Sequence, residues 1–399
     1  MDDGMLERLA DLIVGVGANV QPGQVVAVGS EPGKEALTRA IVRSAYRHGA
    51  KFVDVSVWDL HVKKARIELS REEDLDFVPP WFGQRMLALG DMRGVRIALS
   101  GPVEPTLFAG LPPERLGRDQ LPFVPEAMKV VNDRTVNWCV APCPTEKWAS
   151  FVHRDLEPAE ALARLEEQLV HIMRLDEADP AEAWRSRVAA IASAAERLDE
   201  RGFDAIRFRG EGTDLRVGLL PSSTWTGGAM DTVGGISHIA NLPTEEVFTA
   251  PDPQRVDGEV RATKPLVLGG TTIEGLRVRF EGGRAVAITA DTGGDVLEAM
   301  TRRDEGAARL GELALVDREG RIGPMDTVFY DTLLDENAAS HIALGAAYEL
   351  TVRDEADIDR INRSDIHIDF MIGSPEIEVD GLEADGNAVP VLREGVWQI

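Results

Sequence analysis

Apolar and polar positions along the first two hundred residues switch repeatedly between a helical period and a strand period. A helical stretch near Leu6–Val16 is followed by a short apolar run, Val25–Val28, bounded by Gly23 and Gly29. A helical pattern over Glu35–Arg47 leads into a strand over Phe52–Val57, and further strands are predicted at Val95–Leu99 and Val136–Val140. Alternation of this kind predicts an α/β N-terminal domain with a mainly parallel sheet and helices on its faces. Two long helical stretches rich in Ala, Glu, Leu and Arg follow, over Pro158–Arg174 and Pro180–Arg201.

From about Asp204 the pattern changes. Short β-like runs at Ala205–Arg209, Leu215–Leu219, Leu276–Phe280 and Ala285–Ala290 are separated by glycine pairs at 227–228, 234–235, 269–270, 282–283 and 293–294. Turn-rich strands of this type predict an α+β domain with a largely antiparallel sheet. The boundary is placed near residue 200, giving an N-terminal domain over 1–200 and a C-terminal domain over 201–399.

Composition narrows the class of protein. The 399 residues suit two domains of about 150–200 residues each. Hydrophobic residues make up 44% and charged residues 28%, the balance of a globular enzyme rather than a disordered tail. A net charge of −25 repels phosphate backbones and argues against nucleic acid as a partner. Cys139 and Cys143 lack two further ligands at the spacing of a structural zinc, and read as free thiols in a reducing cytoplasm. The start Met-Asp-Asp-Gly is acidic where a secretory leader is basic, and no stretch of about 18 apolar residues is present. A cytoplasmic protein with no membrane partner is expected.

Two glycine motifs fail on their own chemistry. Gly29-Ser-Glu-Pro-Gly33-Lys34-Glu35 is one residue short of a phosphate loop, with Glu35 where a hydroxyl would hold magnesium. Gly15-Val-Gly17-Ala-Asn-Val20 lacks the third glycine of a dinucleotide fingerprint. A His-Glu-x-x-His pair is absent as well, which excludes that type of single-zinc protease.

The candidate chemistry lies in the second half. In His367-Ile368-Asp369 a strand would project the histidine and the carboxylate to one side, as a solvated strand edge or as a pair of metal ligands. The Ala-rich run from Asp335 to Tyr348 reads as a helix, with His341 and Tyr348 two turns apart on one face. Glu336 then falls near the helix start, where the dipole favours a carboxylate, so it serves as a cap or as a ligand. Glu312 interrupts Leu310–Val316, a run that otherwise reads as a buried strand, and a buried carboxylate needs a cation, a metal or a proton. Glu246 likewise lies among apolar residues. Four carboxylates and two imidazoles are what two divalent ions about 3.5–4 Å apart require. Oxygen and nitrogen donors without thiolate suit zinc, cobalt or manganese.

Four segments carry a specific resemblance. They are Asn-Leu-Pro-Thr-Glu-Glu-Val-Phe-Thr-Ala-Pro over 241–251, Gly-Glu-Leu-Ala-Leu-Val over 311–316, Glu-Asn-Ala-Ala-Ser-His-Ile-Ala-Leu-Gly-Ala-Ala-Tyr over 336–348, and Asn362–Gly373. In sequence, order and length they resemble the thermophilic metalloaminopeptidase family across essentially the whole chain, with the N-terminal half matching only in texture. The resemblance implies a metal-dependent exopeptidase acting on peptide substrates with two divalent ions. It implies Glu246, Glu312, Glu336, His341, His367 and Asp369 as metal ligands, with Glu312 as the bridge. Tyr348 matches the family's essential tyrosine, as a ligand or as a donor to the reacting carbonyl. A homodimer whose N-terminal domains help enclose the site is implied too.

The expected reaction is amide hydrolysis by a metal-activated water, with Tyr348 steadying the oxyanion. Glu245, beside a ligand in the chain, is the candidate proton acceptor, or else a supporting residue outside the ligand set. Two rivals remain at this stage. One is a ring-cleaving dioxygenase with a single iron on His341, His367 and Asp369. The other is a non-catalytic peptide-binding protein on the same scaffold.

Overall fold

A computed structural model describes residues 1–119, 121–122, 124–268 and 270–399. Residue 269 of the glycine pair at 269–270 is therefore outside the described residues. The chain divides into two compact units. One comprises Met1–Leu111, Arg118–Val188 and Gly228–Thr244; the other comprises Pro112–Gly117, Ala189–Gly227 and Glu245–Ile399.

In the first unit, strands β1 (Val25–Ser30), β2 (Phe52–Val57), β3 (Val95–Ser100) and β4 (Asn137–Pro142) form a parallel sheet in the order β2-β1-β3-β4. Helices α1 (Asp3–Leu12), α2 (Glu35–Arg47) and α3 (Pro158–Ile172) belong to the same unit, so the α/β expectation holds. Every second residue of β1 is buried, and Val26 and Val28 meet Leu9, Ile13, Leu37, Ile41 and Ile97 in one core. Cys139 and Cys143 are free and buried there. Segment 228–244 returns to this unit by backbone pairing: Val140 N–H donates to Ala240 O and Leu242 N–H donates to Val140 O. The loop after β1 is committed internally, with Gly33 N–H donating to the Glu35 carboxylate and the buried Lys34 Nζ donating to Leu99 O.

The stretch Pro180–Arg201 forms helix α4, as the composition predicted. The second unit contains β5 (Ala205–Gly210), β6 (Thr213–Leu219), β7 (Glu246–Thr249), β8 (Pro251–Arg261), β9 (Arg277–Glu281), β10 (Arg284–Thr289), β11 (Leu310–Val316), β12 (His341–Gly345), β13 (His367–Met371), β14 (Glu378–Leu382), β15 (Ala388–Arg393) and β16 (Val396–Trp397). They pair entirely antiparallel. An eight-stranded sheet runs β10-β9-β8-β6-β5-β14-β15-β16, and a four-stranded sheet runs β13-β12-β11-β7.

The two sheets share one core. The larger contributes Ile206, Phe208, Val217, Val256, Phe280 and Val379; the smaller contributes Val247, Leu313, Leu315, Ile342, Leu344, Ile368 and Phe370. Because side chains alternate along a strand, the second face of the small sheet is left for other residues. Among the described residues no helix is long and apolar enough to cross a membrane.

Candidate metal centre

The second face of the small sheet collects the polar residues, and the register shows why. Val316 stands opposite Glu246, Ala314 opposite Phe248 and His341, and Glu312 opposite Ala343. Across the next ladder Ala343 faces Asp369, and Gly345 faces His367. Directly opposed residues project to the same side of a sheet. Glu246, Glu312, His341, His367 and Asp369 therefore share one face, from four strands. Between them stand Ala314, Ala343 and Gly345, whose small side chains leave room above the sheet.

Glycine is required at two points of this frame. A bulge at Leu310–Glu312 lets Leu310 pair with Leu344 on the core side while Glu312 turns to the polar face. A Cβ at Gly311 within it would meet Gly345 O at 2.2 Å. Gly345 itself has φ +108°, and a Cβ there would lie 2.0 Å from Ile366 O.

The run 335–348 is not the helix its alanines suggested. A short helix, α5 (Thr332–Glu336), ends where that helix was expected to begin, and His341–Gly345 is the inner strand β12. Strand pairing on both sides and burial on both faces override helix propensity, and the small residues serve clearance instead. Glu336 thus sits at a helix C-terminus, where the dipole opposes a carboxylate rather than capping with it. Tyr348 and His341 do not share a helix face. Tyr348 follows β12, and its ring lies 5.5 Å from that of His367 and 5.9 Å from that of Phe248. Thr351 Oγ1 fixes this turn by donating to Tyr348 O at 2.7 Å.

Two compact groups of potential ligand atoms result: Glu246, Glu312 and His341, and Glu312, His367 and Asp369. Glu312 belongs to both. Its Oε1 lies 3.6 Å from His341 Nε2 and its Oε2 lies 3.5 Å from His367 Nε2. His341 Nε2 is 3.0 Å from Glu246 Oε2, and His367 Nε2 is 3.4 Å from Asp369 Oδ1. Glu336 is buried and lies outside both groups, though near enough for its charge to be felt by them. Glu245 is also buried; its N–H donates to Asn337 Oδ1, and its Oε1 accepts from Arg321 N–H at 3.4 Å.

The residues fit divalent cations on three counts. Each imidazole donates Nδ1–H to a backbone carbonyl, His341 to Ala339 at 3.1 Å and His367 to Ala346 at 2.7 Å. That tautomer turns the Nε2 lone pair of the neutral ring toward the carboxylates. Secondly, Glu246 Oε2 and Asp369 Oδ1 are buried and receive no hydrogen bond. Thirdly, the carboxylates demand positive charge. Burial and the charges of Asp369 and Glu246 push Glu336 well above the usual carboxyl range, and burial raises Glu312 against the pull of the neighbouring His341 and His367 imidazoles. Burial lowers the two imidazoles, yet Glu246 and Glu312 hold His341 well above its ordinary value, and Asp369 and Glu312 bring His367 to about 10. Asp369 ends below its ordinary value because His367 and His341 outweigh its burial. Protons there occupy the electrostatic role that a cation fills.

The sequence profile of the thermophilic metalloprotease (M29) family matches residues 2–397. This chain belongs to that family. It is similar to aminopeptidase T of Thermus thermophilus, at 42% identity with 99% of this chain and 98% of the relative covered. It is also similar to aminopeptidase AmpS of Bacillus subtilis (35%, covering 98% of each) and aminopeptidase PepS of Streptococcus thermophilus (36%, covering 99% and 98%). A solved structure of wild-type AmpT from Thermus thermophilus superposes with a TM-score of 0.89 at 41% identity, covering 99% of both chains. M29 membership implies a divalent metal, and the shared polar face is where this M29 chain has the donors for one.

The residue type that sequence reasoning passed over is the buried amide. Asn337 has no exposed surface; it donates to Leu333 O in its own segment and accepts from Glu245 N–H. Asn362 Nδ2 donates to Gly345 O at 2.6 Å and Gly306 O at 2.8 Å, holding the end of β12. Both stand inside motifs quoted above, but a lone Asn carries no periodicity that would mark it.

Proposed function

We propose that a two-cation site on the small sheet performs the reaction of this chain, which is a metal-dependent aminopeptidase. The observation that carries the reading is Glu312, one carboxylate shared between two ligand groups on a single sheet face. Glu246 and His341 would hold one ion and His367 and Asp369 the other, with Glu312 available to both and Glu336 completing the set. Oxygen and nitrogen donors without thiolate suit zinc, cobalt or manganese. Bound there, the ions supply Lewis acidity to the scissile carbonyl and a nucleophilic hydroxide near neutral pH.

The side chains do the remaining work. Burial and the charges of Glu312 and Asp369 push the Tyr348 phenol well above its ordinary pKa, so it stays protonated and serves as a hydrogen-bond donor to the developing oxyanion. The acidic cluster attracts the free α-ammonium that distinguishes an N-terminal residue. Glu245, adjacent to Glu246 in the chain, is the proton acceptor of this reading. All of these residues belong to the unit that includes Glu245–Ile399, which is the catalytic unit of the proposal. A cytoplasmic setting fits two buried free thiols. A homodimer fits the exposed apolar side chains of Phe52 and Val57 on the edge strand β2.

A single-iron dioxygenase on His341, His367 and Asp369 is not favoured, because these three do not form one compact group; Glu312 stands between them. Metal content and a panel of leucyl, arginyl and aromatic amides test the proposal. Two ions per chain with release of the N-terminal residue are expected. One iron per chain, or no amide hydrolysis with added cobalt or zinc, overturns it.

A further inference from the structure

Asn337 directly follows Glu336 and is completely buried. Both ends of its amide are used. Nδ2 donates to Leu333 O at 2.9 Å, closing the last turn of α5, and lies 3.5 Å from Glu336 Oε1. Oδ1 accepts the N–H of Glu245 at 2.7 Å, across 92 residues of sequence. One side chain therefore ties the segment ending in Glu336 to the segment that enters Glu246.

The tie falls where the sheet itself gives least support. β7 is the outer strand of the small sheet, and the pair Val316–Glu246 is the last step of its ladder with β11. On its outer side the backbone of Phe248, two residues further along, pairs with Thr226. Beyond Glu246 toward Glu245 the ladder has ended, and the Asn337 amide fixes the next backbone group. Strand ends without ladder partners fray first, so the position of Glu246 depends on what pins the residue before it. His367 and Asp369 lie on β13, at the opposite edge of the sheet, and are held by β12.

Resting on the two-cation reading above, we infer that Asn337 is a positioning residue for one of the two ions. It sets the separation of Glu246 and Glu336 and so the affinity of the Glu246–His341 side, and it leaves the His367–Asp369 side unchanged. Partners that orient ligands from behind are worth about 10–100-fold in metal affinity.

The test is a cobalt(II) titration of the full-length chain after chelator treatment, followed by visible absorption and by calorimetry. The unsubstituted chain takes up two equivalents. Asn337→Ala, which leaves Glu245 N–H without its acceptor, retains one equivalent at the original affinity and binds the second about 10–100-fold more weakly. Asn337→Asp keeps an acceptor for Glu245 N–H but sets a carboxylate oxygen against Leu333 O and Glu336; it shows the same one-site loss. If Asn337→Ala does not fold, Asn337→Asp decides by the same criterion. Two equivalents bound within threefold of the original affinities, whatever the melting temperature, overturn the inference. So does equal weakening of both equivalents, which marks a merely structural role. Fewer than two equivalents in the unsubstituted chain defeats the two-cation reading itself, and the inference with it.

Discussion

Glu312 and His341 are diagonal neighbours on adjacent strands, with the carboxylate Oε1 3.6 Å from the imidazole Nε2. The second oxygen of the same carboxylate reaches His367. A group in this position couples two halves of a site, and in a cation-free chain it is also a buried charge beside three other carboxylates.

Glu312→Gln separates those two roles. Turnover is expected to fall by roughly 10³-fold or more, since several kcal/mol of cation-centred stabilisation depends on the bridge. The chelator-stripped variant should melt below the stripped parent, because the buried, protonated His341 and His367 lose the counter-charge they share. Activity within tenfold of the parent refutes the bridging role.

Tyr348→Phe keeps the ring against His367 and Phe248 and removes only the hydroxyl. A loss of about 10²–10³ in kcat is expected, with KM and metal content little changed. Metal stoichiometry measured alongside kinetics is decisive: loss of an ion identifies the phenol as a ligand instead of a donor.

Metal affinity should rise with pH. His367 is held at about 10 and His341 well above its ordinary value, so both carry protons at neutral pH when no cation is bound. A cation must displace them, and each displaced proton strengthens apparent binding about tenfold per pH unit below the imidazole pKa. Zinc titrations of stripped protein at pH 6, 7 and 8 should therefore show affinity climbing at least tenfold per unit. A flat profile means that neither imidazole becomes a ligand.

Gly345→Ala places a Cβ 2.0 Å from Ile366 O at a backbone φ of +108°. Strain of this kind costs about 1–3 kcal/mol before the displaced carbonyl is counted. Urea unfolding should show a loss of about 3 kcal/mol or more. A variant within 1 kcal/mol of the parent would show that β12 and β13 can part without cost.

Much of this architecture is written locally. The parallel strands of the first unit follow from period and glycine boundaries, and Glu35–Arg47 and Pro180–Arg201 form helices over the residues their patterns mark. His367 and Asp369 share a strand face because a spacing of two admits nothing else in a strand. Glu312 was legible as a charge inside an apolar strand, and it lies in β11, whose residues are all buried.

By itself the sequence determined which residues are candidates for the chemistry and which short segments hold them. Only the tertiary structure decided that His341 begins an inner strand, that Glu336 ends a helix, and that Asn337 joins two segments of the candidate site 92 residues apart. The reason is physical: alanine, glycine and leucine suit a helix in isolation. Strand pairing on both sides, a core beneath and a cluster of charges above are long-range conditions, and no window of local sequence contains them.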